Sequence, residues 1–134
     1  MEVRFYETVD DALLRFAVII SKTDDKWVFC KHRERDTYEI PGGHRENGES
    51  IIDTAKRELY EETGATQFTL MPVCGYKVED YGMLYYAQIE KMEKQLSHEI
   101  RSIRLCKKIP EELTYPRIHP YLLIEAKRRN FIRF

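Results

Sequence analysis

Between Ser50 and Gly64 the chain specifies both ends of one helix, and no other segment constrains the fold as tightly. Ser50 is a residue type whose hydroxyl accepts from a first-turn backbone N–H, and Asp53, three residues later, makes a near capping box. Gly64 supplies the left-handed stop, so the pattern predicts a helix of about four turns over residues 50–63. At roughly 100° per residue, Ile51, Ile52, Ala55 and Leu59 fall into one apolar stripe. That stripe requires a second layer to lie against.

The second layer is legible as runs of β-branched and aromatic residues. Residues 15–21 and 26–32, on either side of the polar segment 22–25, read as a hairpin. Residues 38–40 add a short strand, and Pro41-Gly42-Gly43 then predicts a tight loop where strand geometry stops. Residues 67–80 and 82–90 predict a long hairpin turning at Tyr81-Gly82, and residues 100–106 a further strand. Residues 121–129 predict a closing helix, with Leu122, Leu123 and Ala126 on one face and Lys127, Arg128 and Arg129 at its C-terminal end. Strands around helices in this order indicate an α/β (α+β) layered domain.

With 134 residues, no Ser/Gly-rich linker and no internal repeat, residues 1–134 are expected to form one domain. A chain this long buries roughly two thirds of its unfolded surface, so no disulfide or metal staple is needed for folding. Cys30, Cys74 and Cys106 lie far apart without a Cys-x-x-Cys pair and read as small hydrophobes in a reducing compartment. With 22 basic and 23 acidic residues the net charge is −1, so no single-sign field draws nucleic acid or a membrane surface. The longest apolar run, residues 16–20, is far too short to span a bilayer, and a cytoplasmic location is expected.

The chemistry lies on the capped helix. Glu58, Glu61 and Glu62 stand at i, i+3 and i+4 and border the apolar stripe. Like charges at these spacings cost about 0.2–0.5 kcal/mol per pair, and a neighbouring apolar surface adds desolvation. A divalent cation removes that penalty. Carboxylate oxygens are hard ligands suited to Mg²⁺ or Mn²⁺, ions that keep water and take up substrate phosphate. A Glu-Leu-Tyr-Glu-Glu stretch alone is an ordinary solvated helix face; the surrounding spacing sets this one apart. Gly43 is followed after five residues by Glu49, and after seven more by Arg57-Glu58-Leu59-Tyr60-Glu61-Glu62-Thr63-Gly64-Ala65. A chance match at one starting point is on the order of 10⁻⁹ from average residue frequencies.

This pattern, over residues 43–65, resembles the signature box of the Nudix hydrolase superfamily. The resemblance implies a Nudix-type α/β/α sandwich with a mixed sheet, and Mg²⁺- or Mn²⁺-dependent hydrolysis of a diphosphate joined to a nucleoside. It assigns catalysis to Arg57, Glu58 and Glu61, with Arg57 orienting the glutamates. It assigns metal binding to Glu58, Glu61, Glu62 and the carbonyl of Gly42, with Glu99 as a further acidic ligand. Glu49 resembles the more peripheral box glutamate. Gly43 is expected to admit substrate phosphates, and Lys31 and Arg33, after an early strand, to meet them. Among the tyrosines, Tyr38, Tyr76, Tyr81, Tyr85 and Tyr86 include candidates for stacking a base.

Outside the box, the chain is similar to small bacterial nucleoside-triphosphate diphosphatases of the MutT type, including those acting on oxidised guanine nucleotides. The expected partner is a small nucleotide, with neither nucleic acid nor membrane, bound by a monomer or homodimer. The coenzyme A diphosphatase signature and the proline typical of ADP-ribose hydrolases are absent. Tyr81, sixteen residues past Ala65, leaves a dinucleoside-polyphosphate hydrolase as the alternative. A Nudix-fold domain that binds a nucleotide as a regulatory signal is the alternative from another class.

Overall fold

A computed structural model describes residues 2–32, 34–93 and 101–134. Strands β2 (Leu14–Thr23) and β3 (Lys26–His32) form the expected hairpin, turning through Asp24 in the left-handed region. The short strand β4 (Tyr38–Glu39) pairs with β3, and helix α1 runs Ile51–Thr63. Its ends are as the sequence specifies: the Ser50 hydroxyl accepts from the Asp53 amide at 3.2 Å, and Gly64 closes it at φ 79°. Strands β6 (Ala65–Lys77) and β7 (Tyr81–Met92) form the long hairpin, β8 (Arg101–Cys106) pairs with β3, and α2 (His119–Arg128) closes the described fold. The first strand, β1 (Arg4–Tyr6), was not expected; it lies along β6.

Two sequence expectations are corrected. Strand geometry resumes after Pro41, because β5 (Gly42–His44) pairs antiparallel with β2 through Phe16–His44, Ala17–Gly43 and Val18–Gly42. The β6–β7 turn is formed by residues 78–80, so Tyr81 and Gly82 already belong to β7. Gly82 is a strand glycine that leaves room for rings: a Cβ there would lie 2.6 Å from Phe16 ring carbons.

The sheet runs β1-β6-β7-β2-β3-β4, with β5 added beside β2 and β8 beside β3. β2 and β7 are parallel while the other pairs are antiparallel, which makes the sheet mixed. Both faces are covered, which explains why β2 is continuously apolar from Phe16 to Ile20 instead of alternating. Ala17 and Ile19 face Ile51, Ala55 and Leu59 of α1, whereas Val18 and Ile20 pack in the layer that holds Leu122, Leu123 and Ala126 of α2. The result is the α/β/α sandwich. Cys30 and Cys74 are buried and Cys106 is half-buried, all as free thiols. Among the described residues, no helix is long and apolar enough to cross a membrane.

Candidate active site

The carboxylate face of α1 lies against β5, and the contact is close because β5 begins with two glycines. A Cβ on Gly43 would fall 2.5 Å from both carboxylate oxygens of Glu58, so only a bare backbone fits beside that side chain. The Pro41 carbonyl accepts from the Ile19 amide in the β2 ladder. Alternation along an antiparallel strand then turns the backbone groups of Gly42 away from β2. The Gly42 amide donates instead to Glu62 Oε1 at 2.8 Å. Two of the three box glutamates are thus held against β5 backbone.

Arg57 joins the remaining parts. Its Nε donates to Glu49 Oε2 at 2.6 Å and its Nη2 to Glu49 Oε1 at 3.1 Å, a two-point clasp. Nη1 donates to Glu58 Oε1 at 2.7 Å and Glu61 Oε2 at 3.2 Å, and Nη2 also reaches the His44 carbonyl at 2.9 Å. With the arginine side chain 23% exposed and that of Glu58 14%, these bonds are only partly screened by water. The Arg57 guanidinium holds the Glu49 carboxyl down at about 2, and Glu49 in turn raises the guanidinium further. Glu49 also accepts from the Thr54 hydroxyl at 2.7 Å and the Glu46 amide at 3.1 Å. The "peripheral" glutamate is therefore the main anchor of the arginine, a role that its position in the box did not disclose.

These groups form one wall of a cavity of about 1230 Å³. Glu46, Arg57, Glu58, Glu61 and Glu62 line that wall, and the rest of the lining includes the rings of Phe16, Tyr76, Tyr115 and His119 together with the acidic Glu39, Glu79 and Asp80. The aromatic region is tightly packed: Phe16 meets His44 edge-on at 5.8 Å and Tyr76 at 5.7 Å, and Tyr115 lies 5.1 Å from His119. Burial pushes the Tyr76 hydroxyl up and the His119 imidazole down to about 4, so both stay neutral near pH 7. Sequence reasoning offered Tyr76 among several tyrosines and missed Phe16, Tyr115, Ile118 and His119. A Tyr-Pro pair shortly before a predicted helix was the only local signal for the last three.

The other expected site residues are placed less centrally. Lys31 does not line the cavity; its ammonium lies 3.4 Å from Asp36, which takes up the charge that was expected to meet phosphate. Arg33 and Glu99 lie outside the described residues. Tyr81 packs against Tyr6 in a tilted pair with ring centroids 5.6 Å apart, beneath the Lys77 ammonium, and does not line the cavity. Among the described residues, no three acidic, histidine or cysteine side chains converge as a ready-made metal cage. The donors on the wall are nonetheless hard carboxylate oxygens of the kind that suits Mg²⁺ or Mn²⁺, which need only one or two protein carboxylates beside water and substrate. The donor set fits such an ion.

With that geometry in view, the comparisons with known proteins are specific. The chain matches the NUDIX domain model over residues 12–122 and belongs to that family. It is 36% identical over 102 residues to YtkD of Bacillus subtilis (strain 168), whose name provisionally assigns it 8-oxo-dGTP diphosphatase activity; the match covers 72% of this chain and 64% of that protein. It is 39% identical over 72 residues to a nucleoside triphosphate pyrophosphatase/Nudix hydrolase fusion protein of Bifidobacterium longum (strain NCC 2705), covering 50% of this chain and 15% of that one. The chain thus spans less than two thirds of the length of either curated relative. Among solved structures, the Bacillus subtilis pyrophosphohydrolase BsRppH superposes with a TM-score of 0.80 at 26% identity, covering 98% of this chain and 93% of that one.

Proposed function

We propose that this protein hydrolyses nucleoside triphosphates to monophosphate and pyrophosphate, with Mg²⁺ or Mn²⁺ as cofactor. The observation that carries the reading is the two-sided cavity. One wall presents carboxylates organised by an arginine, the arrangement expected to work on a polyphosphate; the rest of the lining offers, beside Glu39, Glu79 and Asp80, aromatic rings of the kind on which a base stacks. The names of the B. subtilis and B. longum relatives support the same substrate class.

Glu58, Glu61 and Glu62 are the residues that would hold the ion. A bound divalent ion supplies neutralisation of charge at phosphorus and lowers the pKa of water. Glu58 is committed to Arg57 and packed on Gly43, and Glu62 to the Gly42 amide. Glu61 is the least constrained of the three, 52% exposed and held by Arg57 only at 3.2 Å. Its carboxylate is the one free to rotate toward a water and take its proton. Arg57 acts as a positioning residue, fixing the rotamers of Glu58 and Glu61 from its anchor on Glu49.

The test is a panel of nucleoside triphosphates, dinucleoside polyphosphates and nucleotide sugars, with product chromatography, run with and without Mg²⁺ or Mn²⁺. Ion-dependent release of monophosphate and pyrophosphate is expected. Nucleotide binding without turnover in either ion would replace this reading with that of a regulatory domain. Tyr81 packs against Tyr6 and is absent from the cavity lining, which favours the triphosphate reading over dinucleoside polyphosphates.

A further inference from the structure

The aromatic region of the cavity contains a buried polar group that the carboxylate wall does not use. His119, the first residue of α2, is 6% exposed and lines the cavity. The Ile40 amide donates to its Nδ1 at 3.2 Å. A ring nitrogen that accepts carries no proton, so the neutral imidazole bears its hydrogen on Nε2. Among the described residues, Nε2–H has no protein acceptor, and it is not sealed in the core. Because His119 lines the cavity and this N–H is open to solvent, the donor is available to an acceptor on a ligand bound there.

We propose that His119 is a specificity-determining residue that donates its Nε2–H to a carbonyl oxygen on the substrate's base. The inference rests on the nucleotide reading above and adds a preference to it. Guanine, hypoxanthine and uracil carry a carbonyl oxygen where adenine and cytosine carry an amino group. A fixed N–H donor pairs with the carbonyl and opposes the amino group, since donor then faces donor. The backbone bond from Ile40 fixes the tautomer, so the ring cannot reverse its preference without giving up that bond.

The experiment compares kcat/KM of the wild type and His119→Asn on GTP, ITP, UTP, ATP and CTP. Asparagine Oδ1 retains an acceptor for the Ile40 amide, while its shorter side chain stops short of the Nε2 position. Wild type is expected to favour the carbonyl bases by about tenfold or more. In His119→Asn that ratio should collapse toward one, with the loss appearing in KM for the carbonyl nucleotides. Equal losses on all five substrates, or a wild type without the preference, would overturn the proposal. Calorimetric titration of GMP against AMP on both proteins reads the same preference without turnover. A protein that prefers GMP but hydrolyses nothing refutes the hydrolase reading and supports this one. A protein that binds neither monophosphate overturns this one.

Discussion

The two sides of the cavity are built by different means. The carboxylate wall comes from one helix and the strand just before it, residues 42–62, and nearly every side chain in it is tied to another by a charged hydrogen bond. The aromatic side takes Phe16 from β2, Tyr76 from β6, Tyr115 and Ile118 from the approach to α2 and His119 from its first turn, and these rings are held by packing. A wall made from one segment has fixed spacing and so a recognisable signature. A surface drawn from three segments is specified only by the fold, and there two relatives with the same box are free to differ. Chemistry is therefore expected to reside in the first and substrate choice in the second.

The comparison breaks if substitutions on the charged wall leave turnover intact. Glu58→Gln, Glu61→Gln and Glu62→Gln are each expected to lower kcat by at least about two orders of magnitude while the protein still folds. Circular dichroism and steady-state kinetics on the same preparations check this; near-wild-type rates in all three would dismiss the wall as a solvated helix face. Gly43→Ala comes next. Its methyl group would enter the space of the Glu58 carboxylate, and a displacement of about an ångström at a reacting centre costs up to roughly 10²-fold. Loss of rate with a smaller change in Tm is the expected signature, since the methyl displaces the Glu58 carboxylate, the end of a flexible side chain, and meets no backbone of α1.

Arg57→Lys sharpens the same point with a smaller effect. Lysine keeps the charge but has no planar fork to hold Glu49 at two points while reaching Glu58 and Glu61. We expect kcat to fall about tenfold or more with little change in Tm. An unchanged kcat would reduce the network to a set of ion pairs worth under about 1 kcal/mol each.

Much of the charged wall was legible in the sequence because helical period, caps and box spacing are all local. The path of β5 was not: Pro41-Gly42-Gly43 reads as a turn by propensity, and it is a strand because β2 offers a ladder partner and Glu58 needs bare backbone beside it. The same ambiguity misplaced the turn at Tyr81-Gly82, where the glycine accommodates the Phe16 and Tyr76 rings. Lys31 shows the converse error. Its charge was visible, but its partner Asp36 is set by how the chain leaves β3, which no pattern of residue types encodes. His119 was invisible for a related reason, since a lone histidine acquires meaning only from the burial and the Ile40 amide that the fold brings to it.

The smallest effect concerns stability on the aromatic side, and its sign follows from burial. The folded pKa of His119 is lowered to about 4 from an ordinary 6.5, because the charged ring loses its water. Between those values the unfolded chain binds a proton that the folded chain refuses, so this residue makes the protein less stable as pH falls from above 6.5 toward 4. At pH 5.5 the loss relative to pH 8 is about 1 kcal/mol. The Glu49 carboxyl, lowered to about 2, acts in a different window: its stabilisation is complete above about 4.5 and is lost only as pH falls toward 2. Unfolding titrations of wild type and His119→Asn at pH 8 and pH 5.5 isolate the histidine, because every other group is common to both proteins. The variant should gain about 1 kcal/mol on the wild type between the two conditions; parallel curves would mean that the ring is hydrated when folded, and the aromatic side of the cavity would then be wetter than its packing indicates.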